Sequence, residues 1–375
     1  MSVEDYWTYF GFEKNPISIR ALTLLCLAEC PPLPLPVPLP VLLEVASYTA
    51  PGHSPTVIVR LRPLFLHEEG PCVARDGNSS LRFNDNIPEP SLSVASLCAG
   101  YAHILGPEST QEDIYGVAGS GAVRAFLEGR DACVVTYGQR GTGKTYTIFG
   151  GDKVTPGLLP RVAEALKYDG EETITMSVIE IYKAKIIDLL DPTTSSQPLR
   201  MRCHPTKGFY VEGVCCVPVK TSAEVMGFVQ KAKEKQIVRL TMMSERSSHS
   251  VFIVQFFKGE VSFALVDNVG SEKVNKCEAA EHVMHTVMIC KSNTSLKNVV
   301  RALSQISTTA RDDKTKPVHV PYRDHPLTMI LQRFLSGPRC AMTVIGTISP
   351  ALEGYEETVS TLRFMKLWAT VRPRG

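Results

Sequence analysis

Asp131–Gly150 reads DACVVTYGQRGTGKTYTIFG, and it predicts a strand, a glycine-rich turn and a helix in succession. Within it, Gly138-Gln139-Arg140-Gly141-Thr142-Gly143-Lys144-Thr145 is a complete G-x-x-x-x-G-K-[ST] match. The preceding run, Ala132 to Tyr137, is short, apolar and partly β-branched, which predicts a buried strand. The glycines make a turn, and a helix can start at Lys144. Polyphosphate binding needs this design: backbone N–H groups close on phosphate oxygens with no Cβ in the way, and a helix N-terminus adds partial positive charge. Lys144 is expected to reach the β and γ phosphates and Thr145 to ligate Mg²⁺.

Composition sets the class around this loop. The chain has 375 residues, 44% hydrophobic and 21% charged, which suits one large α/β domain or two small ones. A net charge of +2 gives no global field for nucleic acid, so any polyanionic partner must be met by a local patch. The eleven cysteines form no C-x-x-C pair and no zinc pattern, and read as reduced thiols of a cytosolic or nuclear protein. Residues 21–48 are apolar, but six of the ten residues Pro31–Pro40 are proline, which excludes a spanning helix and predicts polyproline II. No membrane association is expected. Residues 1–54 are read as a poorly structured leader, 55–370 as the folded domain and 371–375 as a short tail.

Beyond the loop, strands and helices alternate. Thr56 to Pro63 reads as a first strand ended by proline. Further strands are expected at Met176–Ile181, Val251–Phe257, Phe263–Val266 and Met342–Ile348, with more apolar sequence at Ile186–Leu190. Helices are expected at Ala122–Leu127, Ser222–Lys235, Leu296–Ile306, Asp324–Phe334 and Glu356–Leu367. The alternation predicts an α/β sheet covered on both faces.

Segments outside the loop choose among phosphate-loop proteins. Arg60-Leu61-Arg62-Pro63, Gly106 to Tyr115 (GPESTQEDIY), Phe126-Leu127-Glu128-Gly129 and Thr136-Tyr137-Gly138-Gln139 stand in one order with Gly157 to Arg161 (GLLPR). Ile179-Glu180-Ile181-Tyr182 then runs to Asp188-Leu189-Leu190-Asp191-Pro192. Val320 to Asp324 (VPYRD) with Leu327-Thr328, Ile348-Ser349-Pro350 and Glu356 to Phe364 (EETVSTLRF) close the set. Over residues 55–370 this chain resembles the kinesin motor domain, and around Ser109–Tyr137 the chromokinesin subgroup. The resemblance implies a phosphate-loop motor head: a central mixed sheet with helices on both faces, binding Mg-ATP or Mg-ADP and microtubules. It also implies that adenine lies among Arg60, Pro63 and Tyr146, where a base can stack on an aromatic face beside a cation.

The chain departs from the family where γ-phosphate is sensed. The first sensor, N-x-x-S-S-R-S-H in the family, reads Ser244-Glu245-Arg246-Ser247-Ser248-His249, with Asn replaced by Ser244 and an Arg-Ser pair missing before His249. Ser247 and Ser248 remain as candidate phosphate and Mg²⁺ contacts. The second sensor, D-L-A-G-S-E, reads Asp267-Asn268-Val269-Gly270-Ser271-Glu272. The resemblance makes Asp267 the carboxylate that orients Mg²⁺-bound water and Gly270 the N–H donor to the γ-phosphate, and it leaves Glu272 without its usual arginine partner. Asn268 stands where the family buries leucine, and an unsatisfied buried amide costs about 1–3 kcal/mol. The glycine-bearing loop after Glu272 is replaced by Lys276-Cys277-Glu278-Ala279-Ala280-Glu281, which predicts a stiffer hinge.

An intact binding loop beside damaged sensors predicts nucleotide binding with impaired hydrolysis. Loss of one transition-state donor costs roughly 10²–10³ in rate. The leading expectation is an ATP-hydrolysing microtubule motor of the cytoplasm and its cytoskeleton, with spindle or nucleus also open. The alternatives are a pseudo-motor that tethers to microtubules without turnover, and a small-substrate kinase, for which the downstream segments have no purpose. Lys291, Lys297, Lys314, Lys316, Arg323 and Arg333, with Lys183 and Lys185, are the candidate basic contacts to acidic tubulin tails. An isolated head is expected to be monomeric.

Overall fold

Four apolar strands run parallel side by side, and their carboxyl ends share one edge. In the computed structural model β1 (Thr56–Leu61), β5 (Ala132–Tyr137), β12 (Val261–Asp267) and β13 (Ala341–Ile348) stand in the order β12-β5-β13-β1. The structure describes residues 54–77, 80–84, 92–151, 154–168, 172–191, 197–205, 208–242, 250–272, 280–309, 318–337 and 340–372. The expected leader, the first sensor from Ser244 to His249 and most of the segment Lys276–Glu281 lie outside these residues.

Register aligns the edge. Val266 pairs Val135, Gly346 pairs Tyr137, and Leu61 pairs Ile348. The segments that leave these strands therefore meet: 138–145 after β5, 267–272 after β12, 347–350 after β13 and 60–63 at the end of β1. β4 (His103–Leu105) continues the parallel side beyond β1. Beyond β12 the sheet turns antiparallel through β11 (Val251–Lys258), β6 (Thr175–Tyr182) and β10 (Val217–Pro218), with β7 (Lys185–Asp188) as a hairpin partner of β6. Among the described residues this makes a nine-stranded mixed sheet. Two further hairpins, β2 (Val73–Asp76) with β3 (Ser80–Phe83) and β8 (Arg200–His204) with β9 (Gly208–Glu212), pair outside it.

Strand alternation sends side chains to two cores. On one face Val57, Val59, Cys133, Val135 and Val266 pack under α5 (Ala280–Thr309), α6 (Pro326–Ser336) and α7 (Tyr355–Thr370). On the other, Ile58, Val134 and Leu265 pack under α1 (Ser120–Leu127), α2 (Lys144–Phe149), α3 (Leu158–Ala165) and α4 (Ser222–Met242). The apolar spacing Leu296, Val299, Val300, Leu303 is the buried stripe of α5, which is much longer than the expected Leu296–Ile306. The helix expected from Asp324 begins instead at Pro326. Tyr322–Asp324 is a 3₁₀ turn, because His325 in extended backbone caps α6 and proline takes its first turn. No described helix is long and apolar enough to cross a membrane.

Candidate nucleotide site

Gly138 opens the loop with φ +154°, and a Cβ there would lie 2.1 Å from the Thr347 carbonyl oxygen. Only glycine lets the turn pass so close to the end of β13. Thr142 Oγ1 donates to Gln139 O at 2.6 Å and shares a 2.7 Å hydrogen bond with Thr347 Oγ1, so the loop is anchored to β13. Gly141 and Gly143 also have positive φ, the latter leading into α2. Lys144 is buried, and its Nζ donates to Gly138 O at 2.9 Å and Gln139 O at 2.8 Å. Burial lowers its pKa, opposed by the charges of Asp267 and Glu272. Thr145 and Arg140 are exposed at the mouth.

The end of β12 brings Asp267 to this loop. Thr145 Oγ1 donates to Asp267 Oδ2 at 2.7 Å. Burial raises the Asp267 pKa, partly offset by the Thr145 hydrogen bond and by the facing Lys144 and Lys233 ammonium groups. Hydroxyl and carboxylate oxygens held together are the hard donors that Mg²⁺ selects, so these residues fit the ion.

The adenine candidates are partly assembled. Arg60 is buried, with its guanidinium carbon 5.4 Å from the Tyr146 ring centre, and Tyr146 is 42% exposed rather than part of the core. Pro63 is exposed and lines a separate cleft with Leu61, Pro107 and Pro350. Gln111 was missed by sequence reasoning. Its Oε1 accepts from Arg60 Nη1 at 3.0 Å and its Nε2 donates to Tyr146 O at 2.7 Å, while Arg60 Nη1 also reaches Thr147 Oγ1 at 2.9 Å. The only signal for Gln111 was its place in the GPESTQEDIY run, because its partners lie 35 and 51 residues away. Lys233 was also missed. Its Nζ lies 3.5 Å from the centre of the Phe149 ring, and burial lowers its pKa.

The expectation of an unsatisfied amide at the second sensor is corrected. Asn268 is 3% exposed, yet its amide is satisfied. Nδ2 donates to Asn293 Oδ1 at 3.0 Å and Oδ1 accepts from Val269 N–H at 2.9 Å. Asn293, on α5, was not singled out as its partner. The arginine that the family places before His249 is absent from the sequence, and Glu272 Oε2 accepts from the backbone Arg140 N–H at 3.0 Å. Gly270 is buried beside it, and Ser271 N–H donates to Gly138 O at 3.0 Å. Ser247 and Ser248 fall outside the described residues, so the second sensor alone is seen against the loop.

The basic candidates divide. Arg333 is held within the fold: its Nε and Nη2 donate to the two carboxylate oxygens of Asp131, and Nη2 also donates to Glu260 O. The ion pair satisfies much of its charge, while its side chain remains 34% exposed. Arg323 is exposed over the Phe209 ring of β9, Lys291 and Lys185 are exposed, and Lys183 and Lys297 are half-buried. Lys314 and Lys316 lie outside the described residues.

Comparison with known proteins follows this geometry. The kinesin motor domain family matches residues 60–371. Human kinesin-like protein KIF13B is 34% identical over 277 residues, covering 68% of this chain and 15% of the relative. Drosophila melanogaster kinesin heavy chain is 33% identical over 336 residues, covering 84% of this chain and 33% of the relative. The chain thus spans a third or less of these relatives' lengths. The solved structure of a fast kinesin superposes with a TM-score of 0.73 at 28% identity, over 86% of this chain and 92% of that one. A KIF14 dimer bound with AMP-PNP to a microtubule gives 0.68 at 28% identity, over 86% and 95%. The ordered motifs, the mixed sheet with its phosphate loop between β12 and β13, and the match across residues 60–371 lead to one conclusion: this chain belongs to the kinesin motor domain family.

Proposed function

We propose that this chain is a Mg-ATP-binding, microtubule-associated motor head in which hydrolysis is slow. The observation that carries the reading is the meeting of Lys144, Thr145 and Asp267 at the carboxyl ends of β5 and β12. Loop 138–145 would cradle the phosphates through backbone N–H groups, with Lys144 leaving the Gly138 and Gln139 carbonyls to meet them. Thr145 and Asp267 would hold Mg²⁺, Asp267 through water. The ion supplies charge neutralisation on the phosphates. Arg60, braced by Gln111 and Thr147, would sit beside an adenine stacked on Tyr146. Tubulin is the proposed partner, with the microtubule cytoskeleton of the cytoplasm as location. Arg323 and Lys291, with Lys314 and Lys316 of the sequence between them, would supply charge for acidic tails.

The slow hydrolysis rests on the sequence of the first sensor, where no arginine stands between Ser248 and His249. A second reading, a pseudo-motor that binds nucleotide and filament without turnover, draws on the same gap and on the Glu272 carboxylate bonded to the phosphate loop. Steady-state ATPase of the chain with and without microtubules, beside a fluorescent-ADP titration, separates them. Measurable microtubule-stimulated turnover supports the motor. Tight nucleotide binding with flat turnover supports the pseudo-motor. Absence of nucleotide binding refutes both.

A further inference from the structure

The second sensor is held residue by residue, and one of its holds runs through Asn268. Asp267 accepts from Thr145. Asn268 N–H donates to Thr136 Oγ1 at 3.4 Å. Asn293 Nδ2 donates to Gly270 O at 2.7 Å and, more weakly, to Val269 O at 3.4 Å. Ser271 N–H donates to Gly138 O. In a trans peptide the carbonyl and the N–H point in opposite directions. The peptide joining Gly270 to Ser271 shows the consequence: its carbonyl faces Asn293 on α5, and its N–H faces the phosphate loop. The peptide joining Val269 to Gly270 has the same sense, since its carbonyl also faces Asn293. The Gly270 N–H is thereby turned away from Asn293, the sense in which the Ser271 N–H reaches the phosphate loop.

Asn293 can do this only with its amide in one of two orientations. Its Nδ2 must face the Gly270 carbonyl, which leaves its Oδ1 on the other side. That oxygen accepts from Asn268 Nδ2 at 3.0 Å. The Asn268 amide is itself oriented, because its Oδ1 accepts the Val269 N–H. Both side chains are buried, at 3% and 4% exposure, so water does not offer either amide an alternative partner. We infer that Asn268 is a positioning residue which, by selecting the amide orientation of Asn293, aims the Gly270 N–H at the phosphate loop. Leucine, which the family buries at this place, would leave the orientation of Asn293 to the Gly270 carbonyl alone.

This inference rests on the proposed reading that loop 138–145 holds a nucleoside triphosphate, where only the terminal phosphate would meet Gly270. Two substitutions test it in the full chain with Mg²⁺, by titration of fluorescent ADP and of the non-hydrolysable analogue AMP-PNP. Asn268→Asp keeps the size and the acceptor for Val269 but removes the N–H that faces Asn293. Two oxygens then oppose each other, and the Asn293 amide turns over and presents Oδ1 to the Gly270 carbonyl. The expected result is AMP-PNP binding weakened about tenfold with ADP binding within about twofold of wild type. Asn268→Leu removes the hold without opposing it, leaving Asn293 to the Gly270 carbonyl alone, so AMP-PNP binding should weaken about threefold with ADP binding unchanged. A purely structural role would lower both affinities together, and repulsion of the terminal phosphate by the new carboxylate alone would weaken AMP-PNP in Asn268→Asp while leaving the Asn268→Leu ratio unchanged. Parallel loss of both nucleotides in Asn268→Asp, or an unchanged AMP-PNP to ADP ratio in either variant, would each overturn the inference. If the wild-type chain bound no ADP, the functional reading would fall and this inference with it. Normal ADP binding with an unchanged ratio overturns the inference alone.

Discussion

Lowering the pH from 7 to 5 should destabilise this protein through one buried histidine. His325 caps α6: its Nδ1 accepts from Leu327 N–H at 3.2 Å, and the residue is 2% exposed. Burial, with a smaller contribution from Lys291, pulls its pKa from 6.5 to about 4. Protonation would place a hydrogen on the nitrogen that accepts the cap bond and add charge beside an ammonium. A depressed folded pKa means that below pH 6.5 the unfolded chain takes the proton first. The stabilisation is therefore whole above pH 6.5 and is lost as pH falls toward 4. At about 1.4 kcal/mol per unit, the loss between pH 7 and pH 5 is about 2 kcal/mol, rising to about 3 kcal/mol near pH 4. His325→Ser supplies the reference, because serine keeps an N-cap acceptor but does not titrate. Urea unfolding of both proteins at pH 7 and pH 5 cancels every other titrating group. Wild type should lose about 2 kcal/mol more than the variant over that interval. Equal losses in the two proteins would refute the assignment of the pH effect to His325.

Other substitutions probe separate parts of the chain. Gly138→Ala would drive its Cβ into the Thr347 carbonyl, 2.1 Å away, and should abolish fluorescent-ADP binding while far-UV circular dichroism is retained. The two-residue turn between β6 and β7 holds Lys183 at φ 49° and Ala184 at φ 62°, a region that costs a non-glycine residue about 1–2 kcal/mol. Ala184→Gly should accordingly raise Tm by about 2 °C in differential scanning calorimetry. Arg333→Ala removes the fork onto Asp131 and should cost about 1–3 kcal/mol in urea unfolding while leaving co-sedimentation with microtubules within about twofold. Arg323→Ala should show the reverse: near-normal stability and a weaker, more salt-sensitive filament affinity.

Features set by local chemistry could be read along the chain. A glycine-rich turn between an apolar strand and a helix can be read from Asp131–Gly150, because φ > 0, strand periodicity and helix start are properties of adjacent residues. Lys144, Thr145 and Asp267 were legible as candidates because each stands in a short motif. The alternation of apolar runs likewise predicted the covered sheet, though not how far α5 extends or that His325 caps α6. Pairings across distance came from the packed fold. The meeting of Asp267 with Thr145 follows from β12 lying parallel beside β5, a neighbour relation that neither strand encodes alone. Arg333 read as a surface cation until α6 set it against Asp131 at the foot of β5. Asn268 gave the sharpest divergence. Taken alone, an amide in a leucine position predicts an unsatisfied group and a loss of stability. Its worth depends on a partner 25 residues away on α5, and burial converts that hydrogen bond from a weak surface contact into a fixed orientation for the loop.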